Sequence, residues 1–184
     1  DKIVYRYDGS VFHEIFSHPK GINTILEDRL GRIWAGCWQG GGLICLEAGH
    51  VRVYTPEDGL PTDAVRWIME SRDGTLWICT FSGGIVRYDG KQFTAYSFAE
   101  GMWNAMASFA FEDRDGHIWF GTEGGGVQRY DGKNFQVLSR HDGLLSSTVT
   151  AITQQDDGAI IFATKRGIAR YPLIAGPAPP VLIQ

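Results

Sequence analysis

The stretch VRWIMESRDGTLWICT, residues 65–80, decides the fold. It holds two short runs rich in β-branched and aromatic residues, Val65–Glu70 and Thr75–Cys79, on either side of an Asp-Gly turn. Such a pair between β-type runs is a strong hairpin signal, because glycine accepts the positive φ of a tight turn. Two further runs, Ile85–Tyr88 and Phe93–Tyr96, follow after short turns. This part of the chain therefore predicts four consecutive antiparallel strands.

The same pattern returns along the chain with a period of about 42 residues. Glycines at positions 31, 74, 116 and 158 are 43, 42 and 42 residues apart. Four strands in a repeat of this length are typical of one blade of a β-propeller. The predicted fold class is therefore all-β, a propeller of about four blades with four antiparallel strands in each. The residue three positions after each glycine is expected to pack between blades: Trp34, Trp77, Trp119 and Ile161.

The repeat also sets the boundaries along the chain. It predicts a partial blade at 1–16, complete blades at 17–56, 57–98 and 99–140, and a second partial blade at 141–172. A Pro-rich exit segment, 173–184, is interpreted as the start of a following domain. An open arc would expose long sheet edges, which proteins avoid. We therefore expect closure by pairing of the two partial blades, by a second copy of the chain, or by blades outside this sequence.

Composition excludes several classes of function. The formal net charge is -4 and there is no block of Lys or Arg, which argues against a nucleic-acid surface. No apolar run reaches the roughly 18 residues of a membrane span, so no membrane contact is expected of this segment. The three cysteines lack the spacing of a metal site or a disulfide framework. They are expected to be buried free thiols, with a Cys37–Cys45 bridge as the alternative.

Residues 65–80 resemble the two-component regulator propeller repeat, and the match recurs in phase at 27–34 and 112–122. The Asp-Gly-Leu elements at 58–60 and 142–144 resemble its leading elements, whereas the last copy departs from the pattern with Ile161 and Ala163. The resemblance implies an extracytoplasmic, periplasmic sensor region that precedes a small β-sandwich, a membrane span and a histidine kinase or other output module. It also implies that this segment is not an enzyme and that its ligand is a small polar molecule, such as an oligosaccharide.

The alternation of strand direction separates two faces of a blade. The turns between strands one and two and between strands three and four carry the repeated Asp-Gly pairs, and they are interpreted as architecture. The opposite face, here called the loop face, carries the loops that differ between copies, where binding residues usually lie. Aromatic side chains there could stack on a sugar ring, and polar ones could orient it. The candidate ligand-binding residues are Trp38, Gln39, Phe81, Trp103, Asn104, Glu123 and Arg166.

A second polar set lies early in each first strand, which lines the propeller axis. These channel residues are Asn23, Arg66, Ser108 and Thr150. For three of them the favoured interpretation is that they satisfy local backbone groups or channel water. Arg66 is the exception, because a cation is costly to bury without a partner.

Two alternative functions stay open. One is a lyase or hydrolase related to streptogramin lyases, for which Glu123 and His141 are the nearest candidates. The other is a structural or dimerisation module, in which two copies pair through their terminal blade strands. No cofactor is predicted. The calcium-loop resemblance of residues 113–116 is discounted, because the later ligands of such a loop are missing.

Overall fold

The pairing predicted for residues 65–96 is present in the computed structural model, which describes residues 2–38, 40–100, 102, 106–172 and 181–183. Every sheet in this part of the chain is antiparallel, and the strands follow one another along the sequence. The strands are β1 (Lys2–Tyr7), β2 (Phe12–His18), β3 (Ile22–Glu27), β4 (Ile33–Cys37), β5 (Leu43–Glu47), β6 (His50–Tyr54), β7 (Val65–Glu70), β8 (Leu76–Thr80), β9 (Ile85–Tyr88), β10 (Phe93–Tyr96), β11 (Ala107–Glu112), β12 (Ile118–Thr122), β13 (Val127–Tyr130), β14 (Phe135–Leu138), β15 (Val149–Gln154), β16 (Ile160–Thr164), β17 (Gly167–Tyr171) and β18 (Val181–Ile183).

The sheets are the blades of a propeller. Strands β3–β6, β7–β10, β11–β14 and β15–β18 each form a four-stranded meander, here called the first to fourth blades. Their first strands, β3, β7, β11 and β15, lie next to one another in that order and form the inner wall. Short 3-10 turns at Pro56–Asp58, Phe98–Glu100 and Arg140–Asp142 lead from one blade to the next. In the described part of the chain, no helix is long and apolar enough to cross a membrane.

The core lies between blades, where the sequence places the repeated tryptophans. Trp34 and Trp119 have no exposed surface, and Trp77 is 4% exposed. Each packs against the following blade, and Trp119, for example, contacts Phe162 at a ring distance of 5.7 Å. The predicted position of the tryptophans between adjacent blades is confirmed.

A buried carboxylate in the first turn of the blade holds the tryptophan in the first and third blades. Asp28 Oδ2 accepts a hydrogen bond from Trp34 Nε1 at 2.7 Å, and Asp113 Oδ2 accepts one from Trp119 Nε1 at the same distance. The other oxygen of Asp28 accepts from two backbone N–H groups of the turn. One side chain therefore shapes the turn and fixes the core residue.

An arginine on the next position of that turn links each blade to the following one. Arg72 donates from its backbone N–H and its Nε to Glu112, at 2.7 and 3.1 Å. Its terminal nitrogens donate to the carbonyl oxygens of Asp113 and Arg114. Arg29 and Arg114 make the equivalent contacts to the second and fourth blades. The turn face is thus tied together by side chains in a fixed register.

The two ends of the chain do not pair into one blade among the described residues, which was one of the three expected routes to closure. In the described residues, β1 and β2 pair only with each other, and this hairpin packs on the first blade through Val4 and Phe16. The outermost strand of the fourth blade is β18, which pairs with β17. Residues 181–183 were expected in an exit segment, and the backbone places them in this sheet. Closure through a second copy, closure through further blades and a domain following residue 173 stay predictions.

The three cysteines are free and buried. Cys37 ends β4, and Cys45 lies in β5 opposite Trp34. Burial raises the pKa of the Cys37 thiol to about 11. The expectation of buried free thiols is confirmed, and the alternative Cys37–Cys45 bridge is not formed.

Replacing Trp119 by alanine should lower the free energy of unfolding by about 3–5 kcal/mol, because it removes a fully buried ring between two blades. Urea denaturation followed by circular dichroism measures the loss. Phe98→Ala is the control, because Phe98 is 67% exposed and its truncation should change stability by at most about 0.5 kcal/mol. Equal, small losses in both variants would contradict a core between the blades.

Asp28→Asn should remove part of the acid sensitivity of the fold. Burial works to raise the pKa of Asp28, but hydrogen bonds from Trp34 and Arg32 and the Arg32 charge outweigh it and hold the pKa below its usual 3.8. The carboxylate therefore stabilises the fold fully above pH 3.8, and this contribution is lost as the pH falls through the lower folded value.

The variant should lose about 1–3 kcal/mol at neutral pH. Its stability should also fall less steeply than that of the parent chain in acid. Denaturation curves over a pH series measure both effects. Exposed Glu57→Gln serves as the control and should leave the curves unchanged, whereas an unaltered acid slope in Asp28→Asn would contradict the assignment.

Candidate functional site

One position of the repeat forms a rim on the loop face. It is the residue directly after the second strand of each blade: Trp38, Phe81, Glu123 and Lys165. Each donates its backbone N–H to the residue that precedes the inner strand of the same blade, at 2.8, 3.0, 3.0 and 3.3 Å. These bonds continue the pairing of the first two strands by one residue. The rim side chains are therefore held on the ends of a sheet.

The loops behind the rim are fixed by a threonine and a glycine in the second and third blades. Thr80 Oγ1 donates to the carbonyl oxygen of Gly84 and accepts from the N–H of Gly83. Gly84 has a φ of +83°, and a Cβ there would lie 2.1 Å from the carbonyl oxygen of Tyr96. Thr122 and Gly126 repeat this arrangement. The sequence therefore makes these loops short and well determined.

Trp38 and Phe81 form an aromatic pair across the boundary between the first and second blades. Their ring centroids are 5.3 Å apart in an edge-to-face arrangement. The two residues are 39% and 37% exposed, so part of each ring is accessible to a ligand. Two of the predicted binding residues are thus brought together by the fold.

Arg66 and Glu123 form an ion pair beside the aromatic pair. Arg66 Nη2 lies 2.6 Å from Glu123 Oε1, and the Arg66 guanidinium carbon lies 5.5 Å from the centre of the Phe81 ring. The Arg66 side chain is only 17% exposed, and its Nη1 has no hydrogen-bond partner among the described residues. The hydrogen bond from Arg66 is the main cause that lowers the pKa of Glu123, and the charge of Lys165 adds to it.

The other channel residues satisfy backbone groups, as the sequence analysis favours. Asn23 Nδ2 donates to the carbonyl oxygen of Arg66 at 3.1 Å. Ser108 Oγ lies 3.2 Å from the carbonyl oxygen of Gly121, and Thr150 Oγ1 lies 3.3 Å from that of Ala163. Arg66 alone among the four reaches a charged side chain.

Several predicted binding residues are not part of this arrangement. Gln39, Trp103 and Asn104 lie outside the described residues. Arg166 is exposed, and its backbone N–H donates to Thr164 Oγ1. Lys165 and Arg166 both lie in this loop, and only Arg166 was among the predicted binding residues, although the repeat phase puts Lys165 in line with Trp38, Phe81 and Glu123.

Two alternatives from the sequence can be placed on the structure. His141 lies in the turn Arg140–Asp142, where its N–H donates to Ser139 Oγ, whereas Glu123 pairs with Arg66. These contacts give the lyase hypothesis no support. One potential metal-ligand atom from each of Asp113, Asp115 and His117 lies within 4.8 Å of the other two. The Asp113 carboxylate, however, already accepts hydrogen bonds from Trp119 and from the turn backbone. That cluster belongs to the turn.

Comparison with protein families identifies the repeat. Residues 59–82 and 104–124 match the family described as two component regulator propeller. The resemblance given in the sequence analysis is thereby confirmed over these segments. No match was found among the curated proteins.

Solved structures confirm the propeller fold. The extracellular domain of the hybrid two component system BT3049 from B. thetaiotaomicron is 24% identical, with a TM-score of 0.77 over 94% of this chain and 26% of that one. That of BT4673 from the same organism is 25% identical, with a TM-score of 0.70 over 82% of this chain and 23% of that one.

Virginiamycin B lyase from Staphylococcus aureus shares the fold as well. It is 19% identical, with a TM-score of 0.71 over 89% of this chain and 57% of that one. This chain spans about a quarter of the length of the two extracellular domains and somewhat over half of the lyase.

Replacing Arg66 by glutamine should raise the pKa of Glu123. The pKa lies below its usual 4.5 in the parent chain, and the main cause is the hydrogen bond that the substitution removes. Titration of the Glu123 carboxyl carbon by NMR measures the change. Lys165→Gln, which removes a charge with a weaker effect on Glu123, should give a smaller rise. An unchanged titration in Arg66→Gln would contradict the ion pair.

Proposed function

We propose that this chain is the ligand-sensing part of an extracytoplasmic receptor of a two-component system, and that it binds a small polar ligand on its loop face. The observation that carries the proposal is the half-exposed pair Trp38 and Phe81 next to the ion pair Arg66–Glu123. The family match and the likeness to extracellular domains of hybrid two component systems support the receptor setting.

The chemistry of the rim suits a carbohydrate. The apolar C–H face of a sugar ring can cover the exposed part of an aromatic side chain, which removes apolar surface from water. Hydroxyl groups at the ring edge can accept from Arg66 and donate to Glu123, and Lys165 extends the polar margin on the same rim. We therefore propose an oligosaccharide as the ligand class, with Trp38 and Phe81 as the stacking surface.

The rigidity of the rim favours binding. Since the rim residues sit on strand ends, little conformational entropy is lost when a ligand orders them. Arg66 Nη1 is buried without a partner among the described residues, so a ligand hydroxyl that reaches it would satisfy a costly group.

Titration calorimetry against a panel of neutral oligosaccharides tests the proposal. At least one member should release heat, and Trp38→Ala should weaken its binding roughly tenfold or more, because an aromatic contact is lost. Phe12→Ala is the control, since Phe12 is 69% exposed and lies in the separate β1–β2 sheet, outside the four blades that carry the rim. Absence of heat with every sugar, or binding unaltered in both Trp38→Ala and Phe81→Ala, would overturn the proposal.

A further inference from the structure

A groove opens on the turn face between the second and third blades, away from the rim. It has a volume of about 640 Å³. The repeated Asp-Gly turns predict that this face is architectural, and most of its turns fit that prediction. The residues that matter for the groove are Ser71, Asp73, Trp77, Arg87, Glu112 and Asp115.

The groove lies where the second blade departs from the repeat. Ser71 occupies the position of Asp28 and Asp113, because each of the three donates its N–H to the carbonyl oxygen four residues later. In the first and third blades the aspartate accepts the hydrogen bond of the tryptophan indole, whereas the fourth blade has Gln155 at this position and Ile161 in place of the tryptophan. Serine is too short to do so, and Thr75 replaces the larger Arg32 and His117 beside it.

Trp77 consequently keeps its place without its acceptor. It is 4% exposed and lines the groove. Its Nε1 makes no hydrogen bond within the described ranges of the chain. This N–H is not among the fully buried polar atoms that lack a partner, so it faces the groove, where water or a ligand can accept from it.

The second blade also retains the cation that accompanies the tryptophan. Arg87 is the cross-strand neighbour of Trp77, just as Arg129 is the neighbour of Trp119. The Arg129 guanidinium lies 5.4 Å from the Trp119 ring and bonds His117. Arg87 lines the groove, where its charge interacts with the carboxylates of Asp73 and Asp89, but within the described residues its guanidinium makes no hydrogen bond and no ion pair closer than 4 Å.

Three carboxylates line the groove, and the hydrogen bonds of two of them go to the turn or to Arg72. Asp73 Oδ1 accepts from Ser71 Oγ at 2.7 Å and from the N–H of Thr75 at 2.9 Å, which keeps it in the turn. Glu112 is occupied by Arg72. Asp115 is exposed. The second blade thus presents two donors, Trp77 Nε1 and the Arg87 guanidinium, near the position where the first and third blades have a carboxylate.

We propose that this groove binds a small organic carboxylate, whose oxygens accept from Trp77 Nε1 and from the Arg87 guanidinium. The ligand carboxylate takes the place that the Asp28 and Asp113 side chains fill in the neighbouring blades. The volume of the groove accommodates a molecule the size of an amino acid or a uronic acid beyond the carboxylate itself. The site is independent of the rim and of what binds there.

The indole N–H resonances of the six tryptophans in a ¹⁵N-labelled sample provide the test, with sodium acetate as the probe. The Trp77 signal, assigned by its loss in Trp77→Phe, should move downfield in a saturable way. Trp34 and Trp119 already donate to carboxylates, so their signals are internal controls and should stay in place. Sodium chloride at the same ionic strength separates a salt effect from binding.

Two variants sharpen the result. Ser71→Asp introduces the side chain of the first and third blades, so the Trp77 signal should start downfield and should no longer respond to acetate. Arg87→Gln should weaken acetate binding on the order of tenfold, because a charge-assisted hydrogen bond is lost. Unmoved Trp34 and Trp119 signals show that each variant is folded.

Three outcomes would overturn the proposal. The first is a Trp77 signal that moves no further with acetate than with chloride. The second is an equal response to acetate in Ser71→Asp. The third is a shift of the Trp77 signal on Asp73→Asn in the absence of acetate, since it would identify Asp73 as the acceptor. None of these outcomes depends on carbohydrate binding at the rim.

Discussion

Each blade of this chain has two apolar faces, and a neighbouring blade is what covers them. The tryptophan of the second strand carries that contact, because it is large enough to reach aromatic side chains on the second and third strands of the next blade. Its indole N–H must find an acceptor once it is buried, and the first turn of the same blade supplies one in Asp28 and Asp113. The Asp-Gly turn is therefore part of the core as well as a connection.

As a result, the turn face connects the blades and the loop face carries the side chains that vary. On the turn face, the arginines at positions 29, 72 and 114 bind the next blade and fix its angle. The loop face needs only backbone bonds to hold its rim residues at the strand ends. Side chains on the rim can therefore differ between copies, from tryptophan to lysine, without loss of the fold.

Much of the fold could be predicted from the sequence, because a repeat presents the same turn and apolar pattern several times in phase. The predicted strands at 65–70 and 85–88 agree with β7 and β9. The end of the chain was harder, since Val181–Ile183 follow a proline-rich stretch that carries no repeat signal. Repeat phase also grouped Trp38 with Phe81. It could not pair Arg66 with Glu123, because the two residues are 57 positions apart and hold different positions in the repeat. The groove was not predicted, because its only sequence signal is that Ser71 stands where the first and third blades have an aspartate.

A position that departs from the repeat points to a binding site when the residue found there satisfies the polar groups of the fold less well than its counterparts in the other blades. An aspartate at position 71 would satisfy the Trp77 indole, and the other blades show that the turn accepts it. A small polar residue at position 66 would avoid a largely buried guanidinium, as Asn23, Ser108 and Thr150 do in the other copies. In both places the second blade keeps a polar group that the protein satisfies only in part. A ligand could accept from either group, and at Arg66 it would also satisfy a buried donor. The two sites face opposite ends of the propeller, so a ligand at one is not in direct contact with the other.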